Sequence, residues 1–566
     1  MTHSLIWDTA GRLGVKYRAM HSLARLHGAL GDATKAERYR QDQAFRIYEF
    51  VRRGPRTSPS RASASRHVLF ATIRGSVPLV SGFEALLAHA LQMRGAAATL
   101  FSCDGVLHQC DGYKLRDKTA ERCARCAGNS QRYAEAFDLH RSPLGAYTSP
   151  SDWVECRREA EAIPAADLEA MTRGGIAVGA SAAYSVRYNA FTDDIAASEE
   201  LRTLHREFAA TALVLRRAYE RLLDDLRPDA IVMLNGMYMT FHILMEMAKQ
   251  RRIPVYTYER GYRKHSWIFS KDEAAALYPL DRSWSIVREV ALTPAEDAEL
   301  DRYLATREAG CIENVFSLNV NPEERIHQIW QELGLDPARP TVTLFPNSFV
   351  DSTTLDFSGA FPTVAEWIDA TIRFFAGHPE YQLVLRSHPA EVMDPQSTTS
   401  LLAILRETHP ALPPNVVYVG PTSKISSYRL LEMSRATLVY LSTIGIESAI
   451  KGVPCLLSGK PDYVGRGFTS DMANPAEYGQ ALGRLGGMAP LAPTTIALAR
   501  RYAYLKFFRH EYVFPWFNEL PGSWTFSDVA LESLDDLAPG VDRRLDGLCS
   551  AILSGDEVPV WQEAHA

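Results

Sequence analysis

The fold is decided by Leu383–Glu391, Leu-Val-Leu-Arg-Ser-His-Pro-Ala-Glu, where an apolar β-rich run ends in Arg386 and His388. A second apolar run, Thr437–Thr443 (Thr-Leu-Val-Tyr-Leu-Ser-Thr), ends in two hydroxyl residues at the predicted start of a helix. In open parallel sheets, ligands bind just outside the carboxyl ends of the strands. A helix that starts there presents free N–H groups to phosphate. The two strand ends therefore predict a parallel α/β domain with a site for a phosphate-bearing ligand.

The bulk composition is that of an ordinary globular protein, with 46% hydrophobic and 23% charged residues. A chain of 566 residues is too long for one core, so we expect two core-forming domains with appendages. The net charge of −6 argues against nucleic acid as the main partner. The N-terminus lacks a secretion signal and no apolar run is long enough to span a membrane. These features predict a cytoplasmic protein with, at most, peripheral contact at the inner membrane.

The N-terminal region, residues 1–53, is predicted to form a helical hairpin of the tetratricopeptide type, with Gly31 and Asp32 at its turn. A single unit of this type cannot bury its own apolar face. We therefore expect it either to pack on the rest of the chain or to form a surface for a protein partner. Residues 54–66 are rich in Pro, Ser and Arg and are predicted to be a linker.

Two α/β domains are predicted from the order of strands and helices. In residues 67–285, the strands His67–Ile73 and Ala96–Phe101 flank a helix, and this βαβ pattern implies a parallel, Rossmann-like sheet. The pattern recurs around Ala230–Leu234 and Ile253–Tyr258. Residues 286–495 form the second such domain, with predicted strands at Thr341–Phe345, Gln382–Leu385, Val416–Val419, Thr437–Leu441 and Pro454–Leu457. The tail, residues 496–566, is predicted to form helices that pack across the domains.

The second domain resembles the nucleotide-sugar half of the bacterial capsule and surface polysaccharide biosynthesis glycosyltransferases, the Kdo-transferase-like capsule proteins among them. This resemblance spans about Thr341 to Asp471 and rests on motifs in a fixed order: Arg386–Glu391, Lys424–Tyr428, Gly445–Glu447, Gly452–Pro454 and Gly467–Asp471. Ser427 stands where the family often has Thr. The first domain resembles the family more loosely, through Tyr258–Gly261 after a strand. The resemblance implies the GT-B architecture of two facing Rossmann-like domains, with a sugar donor bound in the cleft.

The resemblance also implies a set of donor-binding residues. Arg386 and His388 are expected to contact the donor phosphate, with His388 stabilising the departing nucleotide, and Glu447 is expected to accept the ribose hydroxyls. The remaining implied positions lie at two helix starts: Ser426, Ser427, Tyr428, Ser442, Thr443 and Gly445. Each has a structural alternative, because hydroxyl residues cap helices and an acid near a helix start is favourable without any ligand.

The acceptor side of the reaction is assigned to the first domain. The loop Arg74-Gly75-Ser76 follows the first strand, and its glycine permits close backbone approach. Glu259 and Asp104 each follow a strand and are the candidates for the general base that takes the acceptor proton. Ser81–Glu84 reads as a capping box, which gives Glu84 a structural role.

Four cysteines lie close together in the first domain, with the spacing C-x6-C-x12-C-x2-C: Cys103, Cys110, Cys123 and Cys126. Thiolates at such spacing suit one tetrahedral zinc ion. His108 is an alternative ligand. Free thiols in the core and an iron–sulfur cluster are the competing interpretations. A zinc ion here would be structural, and no cofactor is predicted for catalysis itself.

These features predict an enzyme that moves a sugar from a nucleotide-activated donor to a surface polysaccharide or a lipid-linked glycan. No strand ends in Asp-x-Asp, the metal handle of the other major glycosyltransferase architecture, which favours a metal-independent catalytic site. Three alternatives stay open: a polyol-phosphate transferase of the teichoic-acid type, a non-enzymatic scaffold on a degenerate GT-B fold, and a nucleotide-sugar epimerase. The donor that is consumed, or the absence of donor binding, distinguishes them.

Overall fold

The computed structural model describes residues 43–53, 64, 66–112, 119–190, 192, 194–312, 316–317, 325–347, 359–389, 391, 400–520 and 524–561. Most of the predicted N-terminal hairpin and linker lies outside these residues. Their described part is the helix Gln43–Arg53, whose Ile47 is fully buried and whose Gln43 side chain donates a hydrogen bond to the carbonyl of Phe526 at 3.0 Å. This helix therefore packs on the rest of the chain.

The strands of the described residues are, in chain order, β1 (Arg66–Ala71), β2 (Ala96–Ser102), β3 (His140–Pro143), β4 (Ala230–Leu234), β5 (Val255–Arg260), β6 (Ser266–Lys271), β7 (Cys311–Ile312), β8 (Phe316–Ser317), β9 (Thr341–Phe345), β10 (Gln382–Arg386), β11 (Val416–Val419), β12 (Ala436–Val439), β13 (Cys455–Leu457), β14 (Ser470–Asp471), β15 (Glu511–Val513), β16 (Phe517–Glu519) and β17 (Phe526–Val529). The predicted strands are therefore present, most of them within two residues of their expected bounds.

The α-helices of the same residues are, in chain order, α1 (Gln43–Arg53), α2 (Pro78–Met93), α3 (Ala120–Ala136), α4 (Pro150–Glu161), α5 (Val178–Ala190), α6 (Glu199–Leu226), α7 (Met239–Gln250), α8 (Asp281–Val287), α9 (Pro294–Glu308), α10 (Ile326–Leu333), α11 (Val364–Gly377), α12 (Leu401–Thr408), α13 (Ser427–Glu432), α14 (Ile444–Ile450), α15 (Pro475–Leu482), α16 (Pro493–Tyr504) and α17 (Arg543–Ser554). No helix within the described ranges has both the length and the apolar character needed to cross a lipid bilayer.

The chain divides into two compact units. The first consists of Met1–Ala190, Ile195–Ala276 and Glu511–Pro559, and the second of Phe191–Asp194, Leu277–His510 and Val560–Ala566. The chain passes from the first unit into the second after Ala276, whereas we expected the domain boundary after residue 285. The tail beyond residue 496 contains the predicted helices, α16 and α17, but also the strands β15, β16 and β17, which the aromatic pattern did not indicate.

The first unit is built on a sheet with the strand order β15-β6-β5-β4-β1-β2-β3. The five adjacent strands β5, β4, β1, β2 and β3 run parallel to one another, whereas β6 and β15 are antiparallel to their neighbours. The helix α2 is buried along almost its whole length because it lies against this sheet. The parallel part confirms the predicted Rossmann-like arrangement.

Helix α2 begins earlier than the sequence suggested. Pro78 occupies its first position, where proline costs no hydrogen bond. Ser81 therefore lies inside the helix and forms no capping box with Glu84. Glu84 is nevertheless structural, because its Oε1 accepts a hydrogen bond from the hydroxyl of Tyr258 at 2.7 Å in the core. Burial raises the pKa of the Glu84 carboxyl to about 7, against the lowering effect of the Thr72 and Tyr258 hydroxyls.

The buried Glu84 makes stability depend on pH. In the unfolded chain this carboxyl ionises near pH 4.5, but in the folded chain it keeps its proton to about pH 7. Its contribution to the unfolding free energy is therefore fully present below pH 4.5 and is lost as the pH rises to 7, by up to about 3 kcal/mol. We expect Glu84→Gln to gain stability relative to the original protein over this range, as measured by urea unfolding. The unfolding free energy of the exposed control Glu200→Gln should differ from that of the original protein by the same amount at every pH. The same pH-independent difference for Glu84→Gln would contradict the assignment.

The second unit contains an all-parallel sheet with the strand order β11-β10-β9-β12-β13-β14. The chain runs outward from β9 to β11 and then crosses back to β12 on the other side of β9. One face is covered by α11, whose Trp367, Ile372 and Phe375 are fully buried against Leu383 and Leu438. Two Rossmann-like units are the components of the GT-B architecture, so the predicted α/β fold class is confirmed.

Candidate functional site

The carboxyl edge of the second sheet is where the sequence motifs meet. In a parallel sheet of this strand order, the ligand crevice lies where the chain reverses direction, here between β9 and β12. Asn347 follows β9, and its Oδ1 accepts a hydrogen bond from the backbone N–H of Leu441, after β12, at 2.8 Å. This bond fixes the two loops that border the crevice. His388, Ser442 and Thr443 follow the neighbouring strand ends on the same edge.

Arg386 is buried at the end of β10, with its side chain bonded to protein groups. The guanidinium donates to the carbonyls of Gly420 and Ser423 and, at 3.4 Å, to the Oγ of Ser427. Burial lowers the pKa of Arg386 to about 10, so the group keeps its charge at neutral pH. Arg386 thus holds the loop after β11 against the start of α13. Its contact with a donor phosphate stays a prediction.

His388 lies two residues beyond β10. Burial and, to a smaller extent, the charge of Arg386 lower the pKa of His388 to about 4. The imidazole is therefore neutral at physiological pH and offers one N–H donor and one acceptor nitrogen. A neutral donor of this kind can bind a phosphate oxygen without first having to gain a proton.

Glu391 is a further titratable group in this loop, to which the sequence assigned no role. The hydroxyl of Ser387 donates to its Oε2 at 3.3 Å and lies 3.1 Å from the hydroxyl of Tyr418. Burial raises the pKa of Glu391 to about 7. The carboxyl therefore changes charge near neutral pH, close to the predicted phosphate contacts.

Glu447 forms a buried ion pair that the sequence did not reveal. Its Oε1 lies 2.7 Å from the Nε of Arg307 on α9, and both side chains are at most 5% exposed. The Nη2 of Arg307 also donates to the Oγ1 of Thr443 at 3.0 Å. Burial opposes the charge of the Arg307 guanidinium, but the Glu447 carboxylate together with Tyr303 and Tyr428 more than offsets this, so the pKa of Arg307 is raised. Arg307 thus fixes both predicted donor residues, and the ribose contact of Glu447 stays a prediction.

The start of α13 connects these two groups of side chains. Ser427 accepts the hydrogen bond from Arg386, and the adjacent Tyr428 hydroxyl interacts with both Glu447 and Arg307. Burial raises the pKa of Tyr428 well above its ordinary value, so the phenol stays protonated and can donate. Ser426 is buried at the N-cap position but makes no capping hydrogen bond there.

Ser442 and Gly445 have structural roles in the described structure. The backbone carbonyl of Ser442 accepts a hydrogen bond from the hydroxyl of Tyr463 at 2.6 Å. A Cβ atom at Gly445 would lie 2.5 Å from that same hydroxyl, so any larger residue would displace it. The start of α14 is therefore shaped by Tyr463, which the sequence motif did not include.

The two general-base candidates in the first unit differ in their surroundings. Glu259, at the end of β5, accepts hydrogen bonds from the side chain of Asn235 at 2.9 Å and from the backbone N–H of Arg260 at 2.8 Å. Burial raises the pKa of Glu259, although Asn235 and Arg260 lower it in part. Asp104, in contrast, is exposed and accepts the backbone N–H of Gly145 at 2.9 Å. Asp104 thus holds the loop at Gly145, and the general-base role of both residues stays a prediction.

The loop Arg74-Gly75-Ser76 packs against helix α3. A Cβ atom on Gly75 would lie 2.2 Å from the carbonyl oxygen of Cys126, so only glycine fits this close approach. The side chain of Asn129 donates to the carbonyl of Gly75 at 2.9 Å. The close approach at Gly75 is made to α3, and the role of this loop on the acceptor side stays a prediction.

The four clustered cysteines, Cys103, Cys110, Cys123 and Cys126, line one small cavity of the first unit as free thiols. As they are placed, no three His, Cys, Asp or Glu side chains within the described ranges form a set that could hold a metal ion. His108 instead stacks on the ring of Trp153, with 3.9 Å between the ring centroids. The structural zinc ion stays a prediction, with the iron–sulfur cluster and the core thiols as its alternatives.

Comparison with known proteins relates the second unit to one family. Residues 323–481 match the family model described as capsule polysaccharide biosynthesis protein. No curated protein sequence matches the chain.

Among solved structures, the chain is similar to two KpsC enzymes of Thermosulfurimonas dismutans. The beta Kdo 2,4 transferase is 14% identical, with 51% of this chain and 82% of that chain covered and a TM-score of 0.33. The beta Kdo 2,7 transferase is 13% identical, with 55% of this chain and 86% of that chain covered and a TM-score of 0.31. The UDP-GlcNAc 2-epimerase of Neisseria meningitidis is 11% identical over 77% of this chain and 97% of that chain, with a TM-score of 0.24.

The family assignment rests on the sequence match, which contains the edge residues described above. His388, Ser442 and Glu447 all fall inside it. Residues 323 to 481 therefore match the model of the family that the motifs of the second unit predicted.

Proposed function

We propose that this protein is a glycosyltransferase that moves a sugar from a nucleotide-activated donor to a surface polysaccharide or lipid-linked glycan. The observation that carries the proposal is that His388, Thr443 and Glu447 all follow strands at the carboxyl edge of one parallel sheet, inside the segment that matches the capsule family model. A neutral imidazole, a fixed hydroxyl and a carboxylate match the phosphate and ribose of a nucleotide sugar.

On the donor side, the bond between the anomeric carbon and the phosphate oxygen breaks, and the nucleotide leaves with the electron pair. In the proposed reaction, the N–H of His388 donates to the leaving phosphate, and the Arg386 charge adds a favourable field. Hydrogen-bond donors that are already in place stabilise charge as it develops in the transition state. Glu447, held by Arg307, binds the ribose hydroxyls. Catalysis then needs no metal ion, because these groups take its place.

On the acceptor side, a hydroxyl oxygen of the glycan forms the new bond to the anomeric carbon and loses its proton. We assign that proton to Glu259, because its raised pKa makes it a better proton acceptor than an exposed glutamate once it is ionised. Asn235 keeps its carboxylate oriented through the 2.9 Å hydrogen bond.

The test is a screen of nucleotide sugars by thermal shift, followed by product analysis with glycan acceptors. A ligand at 100 times its dissociation constant adds about 2.7 kcal/mol to stability, which such a screen detects. Transfer of the sugar to an acceptor supports the proposal. Consumption of a polyol-phosphate donor, sugar isomerisation without an acceptor, or the absence of donor binding would replace it with one of the three alternatives.

His388→Ala is expected to lower turnover of the identified donor by about 10²–10³-fold, because one preorganised donor to the leaving group is lost. The exposed His327→Ala is the matched control and should keep turnover. Since the pKa of His388 is about 4, the rate should show no inflection from this residue between pH 5 and about pH 8. Unchanged turnover in folded His388→Ala would remove the donor-site assignment.

A further inference from the structure

The cavity lined by the four cysteines lies in the first unit, beyond the ends of β1 and β2 and beside α3. Cys103 directly follows β2, Cys110 lies in the loop beyond it, and Cys123 and Cys126 lie one turn apart on α3. The space among them is about 20 Å³, which accommodates one small ion or one water molecule. Four cysteines thus line a space the size of a single atom.

Backbone donors already point at two of these sulfurs. The N–H of Gly105 donates to the Sγ of Cys103 at 3.4 Å, and the N–H of Leu107 also interacts with it. The N–H of Ser76 interacts in the same way with the sulfur of Cys126. Outer hydrogen bonds of this kind orient metal ligands and stabilise their negative charge.

Two charged side chains on the cavity wall have buried polar atoms without hydrogen-bond partners among the described residues. Asp111 is 3% exposed; its Oδ2 accepts the Thr240 hydroxyl at 3.0 Å, but its Oδ1 has no hydrogen-bond partner among the described residues. Arg74 lines the same wall, and its Nε and Nη2 likewise lack hydrogen-bond partners there. Buried polar atoms are rarely left unsatisfied. Asp111 thus adds a negative charge to this wall, and Arg74, whose guanidinium lies 3.8 Å from the centroid of the Tyr238 ring, adds a positive one.

We propose that Cys103, Cys110, Cys123 and Cys126 bind one Zn²⁺ through their four thiolates. Zinc prefers four soft ligands in tetrahedral array. Such a centre carries a net charge of −2, and the guanidinium of Arg74 offsets part of it. The thiols must draw together on the ion, because they do not form a closed ligand set as placed. Metal binding supplies free energy for such ordering.

The ion would fix the loop Arg74-Gly75-Ser76 to α3. This loop is already connected to the cysteine segment, because the hydroxyl of Ser76 donates to the carbonyl of Gly112 at 3.1 Å and Gly75 lies against Cys126. A bound Zn²⁺ therefore joins β1, the loop after β2 and α3 at one point. The inference stands independently of the proposed glycosyl transfer.

The experiment measures the metal content of the reduced full-length protein, with expected stoichiometry of one zinc per chain. Replacement by Co²⁺ should give the visible d–d bands and the near-ultraviolet charge-transfer band of a tetrahedral thiolate site. Absence of both, with the thiols shown to be reduced, would overturn the proposal. Iron with inorganic sulfide in place of zinc would overturn it as well.

Variants separate this site from the other cysteines. Cys123→Ser/Cys126→Ser is expected to lose the zinc and the Co²⁺ spectrum, whereas Cys156→Ser, a buried cysteine of the same unit, should retain both. Arg74→Gln should keep the Co²⁺ spectrum but release zinc to a chelator at least tenfold faster. Zinc retention by the folded double variant would contradict the assignment. Should that variant fail to fold, the proposal is tested by the Co²⁺ spectrum of the original protein and by the rate at which Arg74→Gln releases zinc to a chelator.

Discussion

Arg307→Met is expected to lower the free energy of unfolding by about 3–5 kcal/mol, because removal of one partner of a buried ion pair leaves the other charge uncompensated. Glu447 lies 2.7 Å from Arg307 and is 3% exposed, so water cannot replace the lost guanidinium without opening the structure. Thr443 loses its donor at the same time. Urea denaturation at pH 7, followed by tryptophan fluorescence, measures the change.

Two further variants complete this test. Arg302→Met, on the exposed side of the same helix α9, should change stability by no more than about 0.5 kcal/mol. The double variant Arg307→Met/Glu447→Gln should recover part of the loss, because the buried carboxylate no longer carries a charge. A loss below about 1 kcal/mol for Arg307→Met would mean that solvent reaches the pair and that Arg307 does not hold Glu447.

Glu259→Gln is expected to lower turnover by about 10²–10⁴-fold, the usual range for loss of a general base. The amide keeps the shape of the side chain but cannot take a proton. In the original protein, kcat/KM should rise with pH through the pKa of Glu259, which burial places above the ordinary glutamate value. The measurement is initial transfer rate against pH with the donor identified by the screen.

The control for this prediction is Glu161→Gln, an exposed glutamate of the same unit that should keep both the rate and the pH profile. If folded Glu259→Gln transfers sugar at the original rate, the base lies elsewhere. Donor binding measured by thermal shift should be unaffected by Glu259→Gln, so a failure of this assignment is distinguishable from a failure of the donor site.

The fold was largely predictable because its strands are buried apolar runs. β4, β9 and β11 have the bounds expected from the sequence. Two of the missed strands differ in kind: β3 (His-Arg-Ser-Pro) is short and polar, and β15 begins with the buried Glu511. Strand β6 (Ser-Trp-Ile-Phe-Ser-Lys), in contrast, is a buried apolar run that was not predicted either. Glu511 is held by the backbone N–H of Tyr262 and the side chain of Arg263, contacts that join residues about 250 positions apart. Hydrophobic periodicity carries no information about such pairs.

The candidate site was predictable at its strand ends and much less so around them. His388, Thr443 and Glu447 lie on one edge because parallel strands bring their carboxyl ends together. Arg307, in contrast, lies on helix α9, 140 positions from Glu447, and nothing in the local sequence marks it as the partner of Glu447. Asn235 carried a weak signal, since Asn-Gly follows the buried β4 and Asn235 has a left-handed φ of 65°.

The return of residues 511–559 to the first unit has a consequence for biosynthesis. β15 completes the edge of the first sheet beside β6, and the aromatic rings of Phe514 and Trp516 stack with Phe83 on α2. A ribosome therefore has to synthesise the second unit through His510 before that sheet gains its last strand. Until then the β6 edge is unpaired and Phe83 lacks these ring partners, and an unpaired edge of this kind favours aggregation of an incomplete chain.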